Sequence, residues 1–258
     1  MTRKTKKSLI YWIILSPLLG IILLPYFIML TTSVKPKEEL FMGEVSWFGS
    51  TLQWSNFYEM WKTTNIGSAF FSSLYVSIGS MILVLLIGIP AAYACSRMQF
   101  KRVGIYRAFL LITQMISPIV LIVGLYRVLA AFKLVDNLNG LLLANCTFSL
   151  AFGIWMLQSY FETIPIALEE AAMIDGAGLF QRLTKIFLPL AVPAMVVTAV
   201  FTFITAWNEY LLSMTLMITD SKYPLTVKVT NMTMVLYRVD WHHVMTATLL
   251  ATIPVAIM

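Results

Sequence analysis

Long uninterrupted apolar runs constrain this chain more than any other feature. Leu9–Leu30, Ala69–Cys95, Ile105–Phe132, Gly140–Phe161 and Leu190–Ile218 each reach the length of about 20 residues that crosses a hydrocarbon core. A shorter sixth run, Val244–Met258, closes the sequence. In lipid a backbone must satisfy its own polar groups, and long runs without alternation do so as helices. Composition agrees: 59% of residues are hydrophobic and 12% charged, against about 45–50% and about 25% in soluble domains. The expectation is an all-α polytopic membrane protein with six transmembrane helices. At about 1.5 Å per residue the sixth covers only about 22 Å of a core about 30 Å thick, which points to a trimmed or incomplete C-terminus. The first run follows basic residues, as a signal peptide would. It exceeds the usual signal core of about 7–15 residues and no small-x-small cleavage site follows Leu30, so it reads as a retained anchor.

Lysine and arginine set the orientation. Arg3, Lys4, Lys6 and Lys7 precede the first run, and Arg97, Lys101, Arg102 and Arg107 crowd the connection between the second and third. Parity puts both on one side, which the positive-inside rule makes the cytoplasm. The connection between the fourth and fifth runs shares that side, although its own Arg182 and Lys185 are too few to decide it. The net charge of +6 then faces anionic lipid headgroups, and no nucleic acid is needed to explain it. Thr31–Ser68 falls outside the cell. Its Trp47, Phe48, Trp54, Phe57, Tyr58 and Trp61 suit the headgroup level, with a partner-binding surface as the alternative.

Gly79, Gly88, Ala91, Ala92 and Ala94 make the second run a packing helix, because small residues let helices approach where no hydrophobic effect drives them together. Pro90, Pro118, Pro193 and Pro254 lie inside runs and suggest kinked helices around a pathway. Cys95 and Cys146 lack metal-type spacing and read as packing residues. The sequence contains no GxxxxGK[ST] phosphate loop, HExxH, GxSxG elbow or carboxylate pair at catalytic spacing. No catalytic residue, metal site or cofactor is therefore assigned to this chain, and any energy must come from another subunit. A self-sufficient channel or secondary transporter would more typically show inverted repeats or several midplane charges. A membrane-embedded enzyme would need a cluster of His, Cys or carboxylates. Neither pattern is visible.

The stretch EEAAMIDGAGLFQRLTKIFLPL, Glu169–Leu190, interrupts this economy of charge between the fourth and fifth runs. Pro165 suits the first turn of a helix over Ile166–Ile174, and Glu169 and Glu170 near its start suit the helix dipole. Asp175-Gly176 followed by Gly178 can end that helix. Leu179, Leu183, Ile186 and Phe187 then recur at helical spacing, leaving Gln181, Arg182 and Lys185 for water. Leu188-Pro189 turns the chain back into the membrane. On these grounds an interfacial hairpin that merely connects two spans is as good a reading as a docking element.

The order Glu170-Ala171-Ala172, three residues, Gly176, nine residues, Ile186, one residue, Leu188-Pro189 resembles the EAA signature of ABC-importer transmembrane subunits. Leu125–Leu143, Gly153–Ala177 and Phe201–Ser213 are similar to the carbohydrate-uptake group of those permeases, of the kind found as the second maltose-transporter permease. The likeness covers roughly Ala69 to the C-terminus. It implies an N-terminal anchor and outer loop at 1–68 and a transmembrane core at 69–258, with a cytoplasmic coupling loop at 162–189. In that family the loop docks on a cytoplasmic ATPase, which implies ATPase-coupling roles for Glu169, Glu170, Ala171, Ala172, Asp175, Gly176, Ile186, Leu188 and Pro189. It also implies a second related permease, two ATPase subunits carrying ATP and Mg, and an extracellular or periplasmic sugar-binding protein, in a bacterial or archaeal plasma membrane. The implied function is a pore subunit for a sugar or oligosaccharide, with a polyol, glycerol phosphate or amino acid as the alternative solute. Two departures stand out: the family's cytoplasmic tail is missing, and Ile112 and Gly124 replace expected prolines, so the third span should be straighter.

Asn145 and Gln158 are candidates for the substrate path, although bonds across helices are the commoner use of such amides. Asn208 and Glu209 are candidates for binding-protein contact. Glu209 is the only carboxylate within a predicted span, near its outer boundary, beside Trp207 and Tyr210 as interface anchors. His242-His243 reads as solvated loop.

Overall fold

The computed structural model describes residues 3–41, 47–98, 102–234 and 239–258. Lys101, one of the topology-setting cations, lies outside them. The described residues form α-helices, short 3-10 turns and one π turn, with no strand among them. The helices are α1 Arg3–Ser33, α2 Ser55–Thr63, α3 Ile66–Arg97, α4 Val103–Met115, α5 Pro118–Ala131, α6 Leu138–Phe161 and α7 Ile166–Ile174. They continue as α8 Leu179–Arg182, α9 Leu188–Trp207, α10 Leu211–Leu216, α11 Leu225–Thr233 and α12 Trp241–Ile257. Among the described residues, four helical segments are long and apolar enough to cross a membrane, or five when α4 and α5 count as one bent span.

Two of the expected runs are divided. The third is not a straight helix: α4 and α5 meet at 102°. Ile116 and Ser117 are extended, and Pro118 opens α5. Proline forces its predecessor out of the α region and cannot return a hydrogen bond to the previous turn, so one well-placed proline breaks the rod without the two that are missing. The fifth run ends as a helix at Trp207, not Ile218. Toward its start it is longer than expected, because Leu179–Trp207 is a single span candidate that passes through Leu188-Pro189 without turning. The absent Pro189 N–H is absorbed by a π turn over Leu183–Phe187, in which the Leu188 amide reaches back to the Leu183 carbonyl.

The chain divides into two compact units, Met1–Gly67 with Lys228–Met258, and Ser68–Val227. In the first, α12 packs on α1 and α2, and the Asn56 amide donates to the Ser33 and Lys35 carbonyls at 2.9 and 3.2 Å. Lys37 pairs with Asp240, the residue before α12. His242 is buried in the first turn of α12 and His243 follows it, so this pair is helical and not solvated loop.

The second unit holds the long packing contacts. One core cluster joins Tyr93, Ile154, Leu157, Phe161, Phe187 and Ala191; another joins Val76, Leu129, Leu141, Ala144, Leu212 and Leu216. Cys95 and Cys146 are free and buried. Small residues set the closest approaches. A Cβ on Gly153 would stand 2.6 Å from a Val84 methyl, and one on Gly140 only 2.1 Å from the Leu134 carbonyl oxygen.

Asp136, in the turn before α6, has φ +54, a left-handed position that aspartate tolerates better than most residues. Its carboxylate accepts from Lys222 Nζ at 2.8 Å, the Thr219 hydroxyl at 2.6 Å, and the amides of Thr219 and Ile218 at 2.9 and 3.0 Å. The Lys222 bond, followed by those from Thr219 and Ile218, holds this carboxyl far below its ordinary range. The turn before α6 is thereby tied to the segment after α10.

Gly140→Ala should lower the unfolding midpoint of the solubilised protein by the equivalent of about 1–3 kcal/mol, because a backbone oxygen cannot move aside. Gly124→Ala, which meets nothing within 4 Å, should be close to neutral in the same melt. Asp136→Asn should remove a stabilisation that is full above the unfolded-chain carboxyl value of about 3.9 and lost as pH falls from there through the depressed folded value. The gap in melting temperature between native and Asp136→Asn proteins should therefore be constant from pH 7 to about 5 and close only in strong acid.

Candidate functional site

The turn between α6 and α9 is built from local signals that the sequence displays openly. Pro165, with φ −58° and ψ 131°, is the residue before α7 and not its first helical residue, so the helix starts where the backbone first allows it. At the other end the Gly176 amide bonds the Met173 carbonyl at 3.1 Å and the Ala177 amide bonds the Ala172 carbonyl at 2.9 Å. With Gly176 at φ +78°, these bonds make a Schellman closure. The Gly178 amide then donates to Gln181 Oε1 at 3.2 Å as α8 begins.

The residues of this turn divide into an outward and an inward set. Glu170, Ala171, Asp175, Gly176 and Pro189 are exposed. Around them stand bare apolar side chains: Ile166, Leu168, Met173 and Leu179, with Ile174 86% and Phe180 75% exposed. Apolar groups of this size gathered on one short hairpin mark a surface that is covered in use. Ala172 is buried, while Ile186 and Leu188 pack partly buried on the core.

Glu169 faces inward. It is only 6% exposed, and every neighbour that holds it belongs to another part of the same unit. Tyr93 donates to Glu169 Oε1 at 2.5 Å from α3. Arg182 Nη1 lies 3.2 Å from the same oxygen, and Arg97 Nε lies 3.9 Å from Oε2. Arg97 also donates through Nη2 to the Phe161 carbonyl at 2.6 Å and to the Ile164 carbonyl, closing the end of α6. Its guanidinium stands 5.0 Å over the Phe187 ring, and that ring meets Tyr93 and Phe161 edge-on at 4.9 and 5.8 Å between centroids.

One carboxylate thus serves two guanidinium groups in a mostly dry setting. A buried ion retained in such a place needs its partners, since removal of one leaves an uncompensated charge. Arg182 is not left for water, as the helical spacing suggested; it is spent on Glu169. The sequence did signal Arg97, but as a topology charge, and nothing marked Tyr93. Only the folded proximity of α3 and α7, distant in sequence, reveals that grouping. A second pair, Arg107 with Glu162 at 2.8 Å, is more exposed.

The other candidates are placed elsewhere in the same unit. Asn145 is buried and donates to the Leu141 carbonyl of its own helix at 3.0 Å. Gln158 is buried and donates to Glu162 at 3.1 Å. Asn208 is exposed and ends α9. Glu209 is not within a span: it stands in the turn after α9, where its carboxylate accepts from the Leu212 and Ser213 amides at 2.7 and 2.9 Å, capping α10. Trp207 is buried, stacked on Phe203 at 5.5 Å between centroids, and so is a core residue and not an interface anchor. No group of His, Cys, Asp or Glu able to hold a metal occurs among the described residues.

Residues 84–258 match the family described as binding-protein-dependent transport system inner membrane component. The inner membrane ABC transporter permease protein YcjP of Escherichia coli is 31% identical over 99% of this chain and 92% of its own length. The trehalose transport system permease protein SugB of Mycobacterium tuberculosis is 32% identical over 86% of this chain and 81% of its own. The diacetylchitobiose uptake system permease protein NgcG of Streptomyces coelicolor is 33% identical over 80% of this chain and 68% of its own. A bacterial ABC transporter involved in the import of alginate has a chain of the same fold, with a TM-score of 0.84 at 21% identity, covering 100% of this chain and 95% of that one. The exposed hairpin, the apolar helices and the match over most of the chain converge on one statement: this chain belongs to the family of binding-protein-dependent transport system inner membrane components, as a multi-pass permease subunit of an ABC transporter.

Proposed function

We propose that this permease forms part of the translocation pore of an ATP-driven importer for a sugar or oligosaccharide. Relatives named for trehalose, diacetylchitobiose and sulfoquinovosyl glycerol transport support the solute class. In this reading a binding protein outside the cell delivers the sugar, a second related permease completes the pore, and two cytoplasmic ATPases bind ATP and Mg and supply the energy. The chain spans the plasma membrane six times, with α1 as the first span, α4 and α5 together as one bent span and α12 as the sixth, so that the core at 69–258 contributes five. The loop at 162–189 lies in the cytoplasm with the N-terminus, and the 1–68 segment provides an anchor and outer loop.

One observation carries this reading: the exposed apolar face of α7, closed by Gly176 and flanked by Glu170 and Asp175. A short rigid helix of that kind offers a partner apolar surface and charge-assisted bonds together. Closure of two ATPases can then be passed on as rigid-body rotation of the attached spans. Asn145 and Gln158 remain candidates for the path, and Asn208 and Glu209 for the outer partner.

Deletion of the gene should abolish uptake of one labelled sugar among trehalose, diacetylchitobiose, maltose and alginate oligosaccharides, and leave glycerol phosphate and amino acid uptake unchanged. Loss of an amino acid instead would overturn the solute class. Gly176→Val should cost about 1–2 kcal/mol of backbone strain with no steric clash, and ATPase co-purification and uptake should fall together. Gly176→Asn, which tolerates the left-handed region, should retain most of both. Full ATPase recruitment by Gly176→Val and Glu170→Arg complexes at native abundance would remove this role from the loop.

A further inference from the structure

We propose that Glu169 is a positioning residue: an internal charge pin that makes α7 one rigid body with α3, α6 and α9, without contacting the ATPase itself. The inference rests on the coupling reading above and goes beyond it, because it separates docking from transmission within a single nine-residue helix.

The geometry assigns the division. Glu169 and Glu170 are adjacent, yet Glu170 is exposed while Glu169 is buried under the hairpin. A hairpin joined to its spans only by two turns would hinge at Ile164-Pro165 and at Gly176–Gly178. Each hinge is crossed by the Glu169 cluster. Arg97 bonds the Phe161 and Ile164 carbonyls and faces Glu169, so it ties the end of α6 to the first turn of α7 and anchors both to α3. Arg182, on the far side of Gly176, pairs with the same carboxylate and so ties α8, and through it α9, to α7. Tyr93 fixes the carboxylate against α3.

Charge explains why the pin fails as a unit. Two guanidinium groups converge on one carboxylate, so neutralising Glu169 leaves two like charges facing each other with little water between them. Arg97 retains its two carbonyl bonds and stays; Arg182 has no other ion pair among the described residues and is driven outward, carrying α8 with it. The outward apolar face of α7 is untouched by that change. The ATPase should still bind and still hydrolyse ATP, while its closure is taken up by the hinges.

The test uses the complete importer in liposomes, with nitroxide labels at Ala167→Cys on α7 and Thr147→Cys on α6, both exposed positions with no assigned role. In the otherwise native complex the distance distribution should be single and narrow before and after trapping with ATP and vanadate. Glu169→Gln should keep ATPase co-purification and ATP hydrolysis within about twofold, broaden that distribution, and lower transported sugar per ATP about tenfold, for the sugar selected by the uptake panel. Glu169→Gln with Arg182→Gln, which removes the surplus cation, should recover part of the loss, a non-additive result expected of groups in one network. A narrow distribution with native sugar per ATP in Glu169→Gln would overturn the pin, and so would loss of ATPase binding, since that makes Glu169 a docking residue. Should Glu169→Gln fail to accumulate, Tyr93→Phe decides: it removes one hydroxyl, and unchanged distance and coupling there would overturn the proposal equally. Failure of the coupling reading itself would show differently, as normal ATPase recruitment by Gly176→Val and Glu170→Arg.

Discussion

A carboxylate withdrawn from water between two guanidinium groups is the interaction around which the second unit is arranged. Glu169 is acceptable there only because Tyr93, Arg97 and Arg182 all reach its carboxylate. Tyr93 and Arg97 are delivered by α3 and Arg182 by α8, so the ion cluster is possible only if α3, α7 and α8 are already in register. The aromatic group of Tyr93, Phe161 and Phe187 beneath supplies that register by apolar packing. Burial and charge are therefore not separate contributions here. The rings exclude water, which strengthens the ion contacts, and the ions would be unaffordable without the rings.

Proline governs the shape of the remaining spans, and its effect depends on the residues around it. Pro118 breaks the third run because Ile116 and Ser117 before it are extended, giving a 102° corner. Pro189 breaks nothing. The preceding turn widens into a π turn, and the helix continues from Leu179 to Trp207. The difference lies in whether the neighbouring turn can release a carbonyl without losing its packing, and Phe187 at the end of the π turn is fully buried.

The helical class, the approximate spans and the α7 hairpin were legible because they rest on local rules. Apolar run length, Pro165 before a helix and Gly176 after one act within a few residues. The corner at Ser117, the end of α9 at Trp207 and the inward turn of Glu169 were not legible. Periodicity cannot show where a uniformly apolar run is broken, since every face of such a helix reads alike. It also placed Arg182 in water, because a local pattern contains no information about a carboxylate on the preceding helix. Glu209 was misread for a related reason: counted as an intramembrane charge, it is a cap for α10, made necessary by a helix end that composition does not reveal.

The corner between α4 and α5 also bears on how the chain is made. At about 1.5 Å per residue, helices of 13 and 14 residues are each about 20 Å long, short of the roughly 30 Å that a segment needs to settle across a bilayer by its own hydrophobicity. Neither half is long enough to cross alone; the two meet that test only together. The second half meets its cover only when α6 and α10 are in place, since α5 packs on both. The cover of α5 is thus completed by α10, which begins at Leu211, well beyond the end of α5 at Ala131.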